Sequence, residues 1–223
     1  MAYRVRTILG FLLVLLIFAI LFCLGLKHPS RAKLSQSSVA NAMKKDVPLL
    51  SGKKLLFIIP PKDFRDEELF ETKKLLAKSG ATSYLASTTI DSVRGMLGAK
   101  VRPDYLISEL KANAYDAVIF IGGSGCKTLW DNIDSQRLAR EAFESGKVVA
   151  AICIAPVILA RADLLTNCDA TVFSSQKNEI TKVGAKYIDN NAVKCGRIVT
   201  ANGPEAVEDF AKAIEEVLLV EYD

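Results

Sequence analysis

From Lys54 onward the chain alternates short apolar runs with stretches of helical spacing. Lys54-Leu55-Leu56-Phe57-Ile58-Ile59 is apolar after its first residue, as expected of a strand covered on both faces, and Pro60-Pro61 ends it. Asp63 and Asp66 suit the cap and first turn of a helix from about Asp66 to Ser79, closed by Gly80. Thr82–Ser87 reads as a second strand. Asp116-Ala117-Val118-Ile119-Phe120-Ile121 reads as another, ending in Gly122-Gly123-Ser124-Gly125. A helix over Ser135–Ser145 stops at Gly146, and Val148–Ile152 is again strand-like. Ala170–Phe173 predicts a short strand, and Ala192–Cys195 with Ile198–Ala201 a hairpin across Gly196-Arg197. Gly203-Pro204 opens a last helix whose Val207, Phe210, Ala211, Ile214, Val217 and Leu218 keep helical spacing.

Strands alternating with helices predict an α/β fold with a mostly parallel sheet and helices on both faces. Sites in such sheets gather at the carboxyl ends of strands. The loop after Ile59, the glycines after Ile121, and Cys153 all fall there.

Cys153 stands where the strand ending at Ile152 meets the helix-like run Val157-Ile158-Leu159-Ala160-Arg161-Ala162. Ala151 and Ala155, two residues before and after it, give the small-x-nucleophile-x-small layout of a nucleophile elbow. Such a turn lifts the sulfur above the sheet edge, where the next helix's first N–H groups favour a thiolate. The competing reading is a buried cysteine acting as a small hydrophobe. Gly125-Cys126-Lys127-Thr128 does not complete a P-loop, because the earlier glycine is absent. Trp130 reads as packing or lid.

The N-terminal part is of a different kind. Ile8 to Leu26 carries no charge, and as a helix it would run about 28 Å, close to a bilayer's hydrocarbon thickness. An uncleaved single-pass anchor over residues 1–26 is therefore expected, with a membrane localisation and the bilayer as a partner through residues 8–26. Arg4 and Arg6 before it against Lys27, Arg31 and Lys33 after it leave the orientation open. Residues 27–51, polar and basic with Pro29 and Pro48, read as a juxtamembrane linker with a short helix around Val39–Lys45, and residues 52–223 as one domain.

Charge divides the same way. Residues 1–50 hold seven Lys/Arg and one Asp (7 − 1 = +6), and residues 51–223 hold twenty-two against twenty-four Asp/Glu (22 − 24 = −2). The domain has no basic stripe, which argues against nucleic-acid binding. The sole histidine, His28, precedes the domain, so a Ser-His-Asp triad, a Cys-His dyad and a His-ligated metal site are excluded there. Cys23, Cys126, Cys153, Cys168 and Cys195 form no CxxC. Cys168 and Cys195 show no local support for chemistry. No metal and no organic cofactor is implied.

Three segments carry a family resemblance: Phe64-Arg65-Asp66-Glu67-Glu68-Leu69; Tyr115-Asp116-Ala117-Val118-Ile119-Phe120-Ile121-Gly122-Gly123; and Gly146-Lys147-Val148-Val149-Ala150-Ala151-Ile152-Cys153 with Pro156. From Lys53 to about Leu219 the chain resembles the ThiJ/PfpI superfamily, relatives of class I glutamine amidotransferases. The resemblance implies a flavodoxin-like three-layer sandwich, a homodimer, and Cys153 as the elbow nucleophile. It also implies an oxyanion-hole-like pocket of backbone N–H groups near Gly123 and Ile154.

The sequence departs from that pattern around the cysteine. Ile154 replaces the histidine of protease-like members, and Phe173 stands at the expected place of a second histidine. Arg65 occupies the register of the family's glutamate. It reads either as a charge near Cys153 that lowers the thiol pKa or as a surface residue paired with Asp63, Asp66 and Glu67. Glu68 and Asp66 are the fallback carboxylate partners.

The expected function is cysteine-dependent chemistry on a small carbonyl or amide substrate, of glyoxalase, deglycase or hydrolase type. Peptidase activity is disfavoured by the missing histidine. A non-catalytic redox-sensing or chaperone-like module is the alternative.

Overall fold

The structure is a computed structural model that describes residues 47–220. Its first strand, β1 (Lys54–Ile58), is buried from Leu55 on, and the first helix is α1 (Asp66–Lys78). β2 (Thr82–Ser87) follows, then the two-residue strands β3 (Val93–Arg94), β4 (Lys100–Val101) and β5 (Tyr105–Leu106). β6 (Ala117–Phe120) leads through a glycine turn into the short α2 (Lys127–Trp130) and then α3 (Ile133–Glu144). β7 (Val148–Ile152) runs into α4 (Pro156–Arg161). The last third holds β8 (Asp169–Ala170), α5 (Lys177–Thr181), β9 (Lys186–Tyr187), β10 (Ala192–Cys195), β11 (Ile198–Ala201) and α6 (Val207–Leu219).

The main sheet has the order β10-β11-β7-β6-β1-β2-β5, parallel throughout except for the β10–β11 hairpin at its edge. The central strands β1, β6 and β7 are apolar on both faces because helices cover both. α1 packs beside α6, and α3 lies against β6 and β7. This is the mostly parallel α/β sandwich expected from the alternation.

Two local differences have physical causes. The expected strand at Ala170–Phe173 is cut to Asp169–Ala170 and pairs only with β9, outside the main sheet. Thr171 instead donates its N–H to Thr200 Oγ1 at 2.9 Å, and Phe173 donates its N–H to the Cys153 carbonyl at 2.8 Å. The β3–β4 hairpin has no sequence signal of its own. It is held by Asp66, which accepts from Leu97 N–H at 2.8 Å and Ala99 N–H at 2.9 Å.

The expected single-pass membrane localisation is corrected. No helix among the described residues is long and apolar enough to cross a membrane. The segment 8–26 that suggested an anchor, and the short helix expected near Val39–Lys45, lie outside the described residues.

Candidate active site

β7 delivers Cys153 to the carboxyl edge of the sheet with φ 64°, a left-handed conformation that side chains with a Cβ adopt at a cost. The surroundings over-determine it. Cys153 N–H donates to the Ala201 carbonyl at 2.9 Å, and its own carbonyl accepts from Phe173. Ala155 N–H donates to the Ile152 carbonyl at 3.1 Å, closing the turn. Cys153 is buried apart from 8 % of its surface.

Only small groups fit around the elbow. Ala151 and Ala155 are fully buried. A Cβ on Gly122 would lie 2.6 Å from Cys153 Cβ and 2.9 Å from the Ile152 carbonyl, closer than real atoms pack. Gly123, at φ 98°, has the backbone of Asp63, Phe64 and Arg65 pressed against the place of its missing side chain. The loop after β1 and the loop after β6 are thereby in contact beneath the sulfur.

The three acids at the start of α1 go to three places. Asp66 turns to the β3–β4 hairpin, as described. Glu67 turns outward and pairs with the Arg65 guanidinium at 3.0 Å. Glu68 alone turns inward. It is fully buried, its Oε2 accepts from Gly122 N–H at 2.9 Å, and its carboxyl hydrogen-bonds the Cys153 thiol. Its Oε1 is sealed from solvent and has no nitrogen or oxygen donor.

This changes the register read from the sequence. Arg65 caps α1, donates its N–H to the Gly122 carbonyl at 3.1 Å and holds Glu67 with its side chain. Its charge reaches Glu68 only through space. The carboxylate facing the cysteine is Glu68, three residues further along. A helix beginning at Asp66 turns its third residue toward the sheet, and an offset of one helical turn cannot be read from a run of adjacent acids. The one trace it leaves is that Glu68 shares a helical stripe, at i, i+4 and i+8, with the buried Thr72 and Leu76.

Electrostatics follow from burial. Desolvation pushes Glu68 up to about 7, against the opposing effect of its bonds to Cys153 and Gly122 and of the Arg65 charge. Desolvation, then the nearby Glu68 charge, pushes the Cys153 thiol up to about 12. Backbone N–H groups of Gly123 and Ile154 hydrogen-bond the sulfur and oppose that rise. α4 is only a turn and a half long, and Pro156 brings no N–H, so these two amides are the local donors to an anion. A buried proton held between a thiol and a carboxyl, beside two backbone donors, is suited to transferring that proton while sulfur forms a bond.

The other residues singled out in the sequence fall as follows. Phe173 presents a phenyl ring, 43 % exposed, packed on Gly203, with no proton to move. Cys126 is free, fully buried, and raised well above the usual thiol range by burial. Cys168 and Cys195, which carry no pairing signal in the sequence, form a disulfide with Cα atoms 5.8 Å apart.

The same fold is found in known proteins. Residues 53–217 match the model of the DJ-1/PfpI family. Glutathione-independent glyoxalase DJR-1.2 of Caenorhabditis elegans is 30% identical over 173 residues, 76% of this chain and 91% of that protein. Deglycase PfpI of Pyrococcus furiosus is 29% identical over 151 residues, 68% of this chain and 90% of that protein. The crystal structure of a ThiJ/PfpI domain protein from Brachyspira murdochii superimposes with a TM-score of 0.73 at 39% identity, covering 75% of this chain and 98% of the other. From its first strand to its last helix, the chain belongs to the DJ-1/PfpI family.

Proposed function

We propose that Cys153 is a nucleophile toward small reactive carbonyls, in chemistry of the glyoxalase or deglycase type. The observation that carries this is the meeting of the Cys153 thiol with the buried Glu68 carboxyl at a strained elbow. The likeness to a glyoxalase and a deglycase supports the choice of carbonyl over amide substrates.

Glu68 supplies the proton transfer that the absent histidine would otherwise perform. Its ionised form accepts the Sγ proton as sulfur bonds to the aldehyde carbon of a 2-oxoaldehyde. The π electrons of that carbonyl pass to its oxygen, which the N–H groups of Gly123 and Ile154 stabilise. Glu68 passes the Sγ proton to that oxygen. It then takes the proton from the former aldehyde carbon and returns it to the neighbouring carbonyl carbon, while the hydroxyl proton of the first carbon passes to the second carbon's oxygen. The first carbon is thereby oxidised and the second reduced. The resulting thioester is hydrolysed by water, which frees the thiol and releases a 2-hydroxy acid. No external oxidant or reductant enters.

Methylglyoxal consumption by the full chain tests this. Wild type should turn over and Cys153→Ser should not. Equal rates, or no turnover by either, would remove the carbonyl reading. The second outcome favours a thiol sensor, the alternative that Phe173 and Ile154 support by leaving no histidine at the site.

A further inference from the structure

Both ends of the strained elbow are held by backbone, each from a different arm of the fold. Cys153 N–H donates to the Ala201 carbonyl at the end of β11, and the Cys153 carbonyl accepts from Phe173 N–H, just past β8. β11 is locked into the main sheet between β7 and β10. β8 is not. Its two residues pair only with β9, which lies outside that sheet as well.

The Cys168–Cys195 disulfide joins these two arms. Cys168 directly precedes β8, and Cys195 ends β10, where it pairs with Ile198 at the start of β11. Between the bridge and the elbow, Thr171 N–H donates to Thr200 Oγ1 in a buried bond of 2.9 Å. The arms therefore run side by side from the disulfide to Cys153, one ending on its carbonyl and the other on its N–H. A residue at φ 64° keeps that conformation only while its surroundings over-determine it.

We propose that the Cys168–Cys195 disulfide is a redox switch on the elbow. Reduction by a dithiol frees the β8 arm, and Phe173 releases the Cys153 carbonyl. The turn then relaxes toward a commoner φ, which carries the sulfur out to solvent and away from its fixed place. Cys195 is half-buried whereas Cys168 is buried, so a thiolate of the dithiol attacks the Cys195 sulfur. The S–S bond breaks and Cys168 leaves as a thiolate, which takes up a proton. The second sulfur of the dithiol then displaces Cys195 as a thiol. Two electrons pass to the protein, and the dithiol departs as its own disulfide.

Amide exchange is followed residue by residue in three samples: the oxidised full chain, the same chain reduced with dithiothreitol and freed of it without air, and Cys195→Ser. Without the bridge, the amides of Thr171 and Phe173 should exchange about tenfold faster, at a rate indifferent to low urea, as a local opening does. Unchanged rates overturn the proposal. So does faster exchange that climbs with urea in step with β6 and β7, because it would report lost global stability alone. Reduced wild type supplies the answer if Cys195→Ser fails to fold.

Iodoacetamide labelling read by mass spectrometry reports on the elbow itself. Cys153 is only 8 % exposed in the oxidised form. Its early modification should be about tenfold faster once the bridge is cut, since the opening that admits the reagent is about tenfold more populated. Reoxidation should restore the slow rate. An equal or slower rate after reduction, or a fast rate that survives reoxidation, overturns the proposal.

Only the turnover arm rests on the carbonyl reading: kcat for methylglyoxal should fall at least about tenfold on reduction, because a displaced sulfur attacks poorly. Turnover equal in both forms overturns the switch and leaves the carbonyl reading standing. Faster exchange and labelling with no methylglyoxal turnover by either form would uphold the switch and remove the carbonyl reading.

Discussion

Glu68 reaches Cys153 from the first turn of α1, and the same carboxyl is pinned by Gly122 N–H at 2.9 Å. The thiol stands at the end of β7, the glycine at the end of β6, and the acid after β1. Three neighbouring strand ends thereby converge on one buried proton. Burial raises both groups; the Glu68 charge raises the thiol further, whereas the bond from the thiol draws Glu68 partly back down.

Stability should therefore depend on pH through Glu68. Burial raises its pKa from 4.5 to about 7. Between those values the folded chain keeps a proton that the unfolded chain has released. Its contribution is fully present below about pH 4.5 and is lost as pH rises through 7, by about 3 kcal/mol at 1.36 kcal/mol per pKa unit. Glu68→Gln should abolish this contribution. Urea unfolding of both proteins at about pH 4.5 and about pH 7.5 measures it as the change in their stability difference. A difference that is constant with pH would contradict the assigned burial. Reactivity of Cys153 should move the opposite way, rising as the carboxylate forms.

Gly122→Ala tests the close approach beneath the sulfur. The added methyl would meet Cys153 Cβ at 2.6 Å and Glu68 Oε2 at 2.8 Å, and neither is the free end of a flexible chain. Overpacking of this kind costs about 1–3 kcal/mol. Thermal unfolding should show that loss, and alkylation of Cys153 should slow because the Glu68–Cys153 contact is forced apart. Wild-type stability and reactivity together would show that the elbow has more room than these distances allow.

The Cys168–Cys195 disulfide closes a loop of 27 residues' separation, from the approach to β8 to the end of β10. Constraining the unfolded chain over such a loop is worth about 3–4 kcal/mol. Dithiothreitol should lower the urea midpoint of wild type and leave Cys195→Ser unchanged, and the variant should match reduced wild type. A wild-type midpoint indifferent to reductant would mean that the bridge adds nothing to stability.

Much of this architecture is legible in the residue pattern, for a physical reason. β1, β6 and β7 are buried on both faces, so they must be unbroken apolar runs, and such runs are visible without a structure. The elbow is visible for a related reason. A backbone turned to positive φ at the base of a sheet tolerates only small neighbours, and Ala151, Ala155 and the two glycines after Ile121 record that limit. The two-residue strands β3, β4, β5, β8 and β9 leave no such record. They are too short for a period, and tertiary contacts such as Asp66 to Leu97 and Ala99 hold them.

The chain by itself determined a parallel α/β domain and a cysteine at a strand end. It did so because burial and crowding constrain residue type locally. Only the tertiary structure decided that Glu68, and not Arg65, faces that cysteine, that the Trp130 indole donates to the Ile154 carbonyl, and that Cys168 and Cys195 join. Each of these is a meeting of residues distant in sequence. Which of several adjacent acids turns inward depends on where a helix starts relative to a sheet, and that is set by packing across the whole domain.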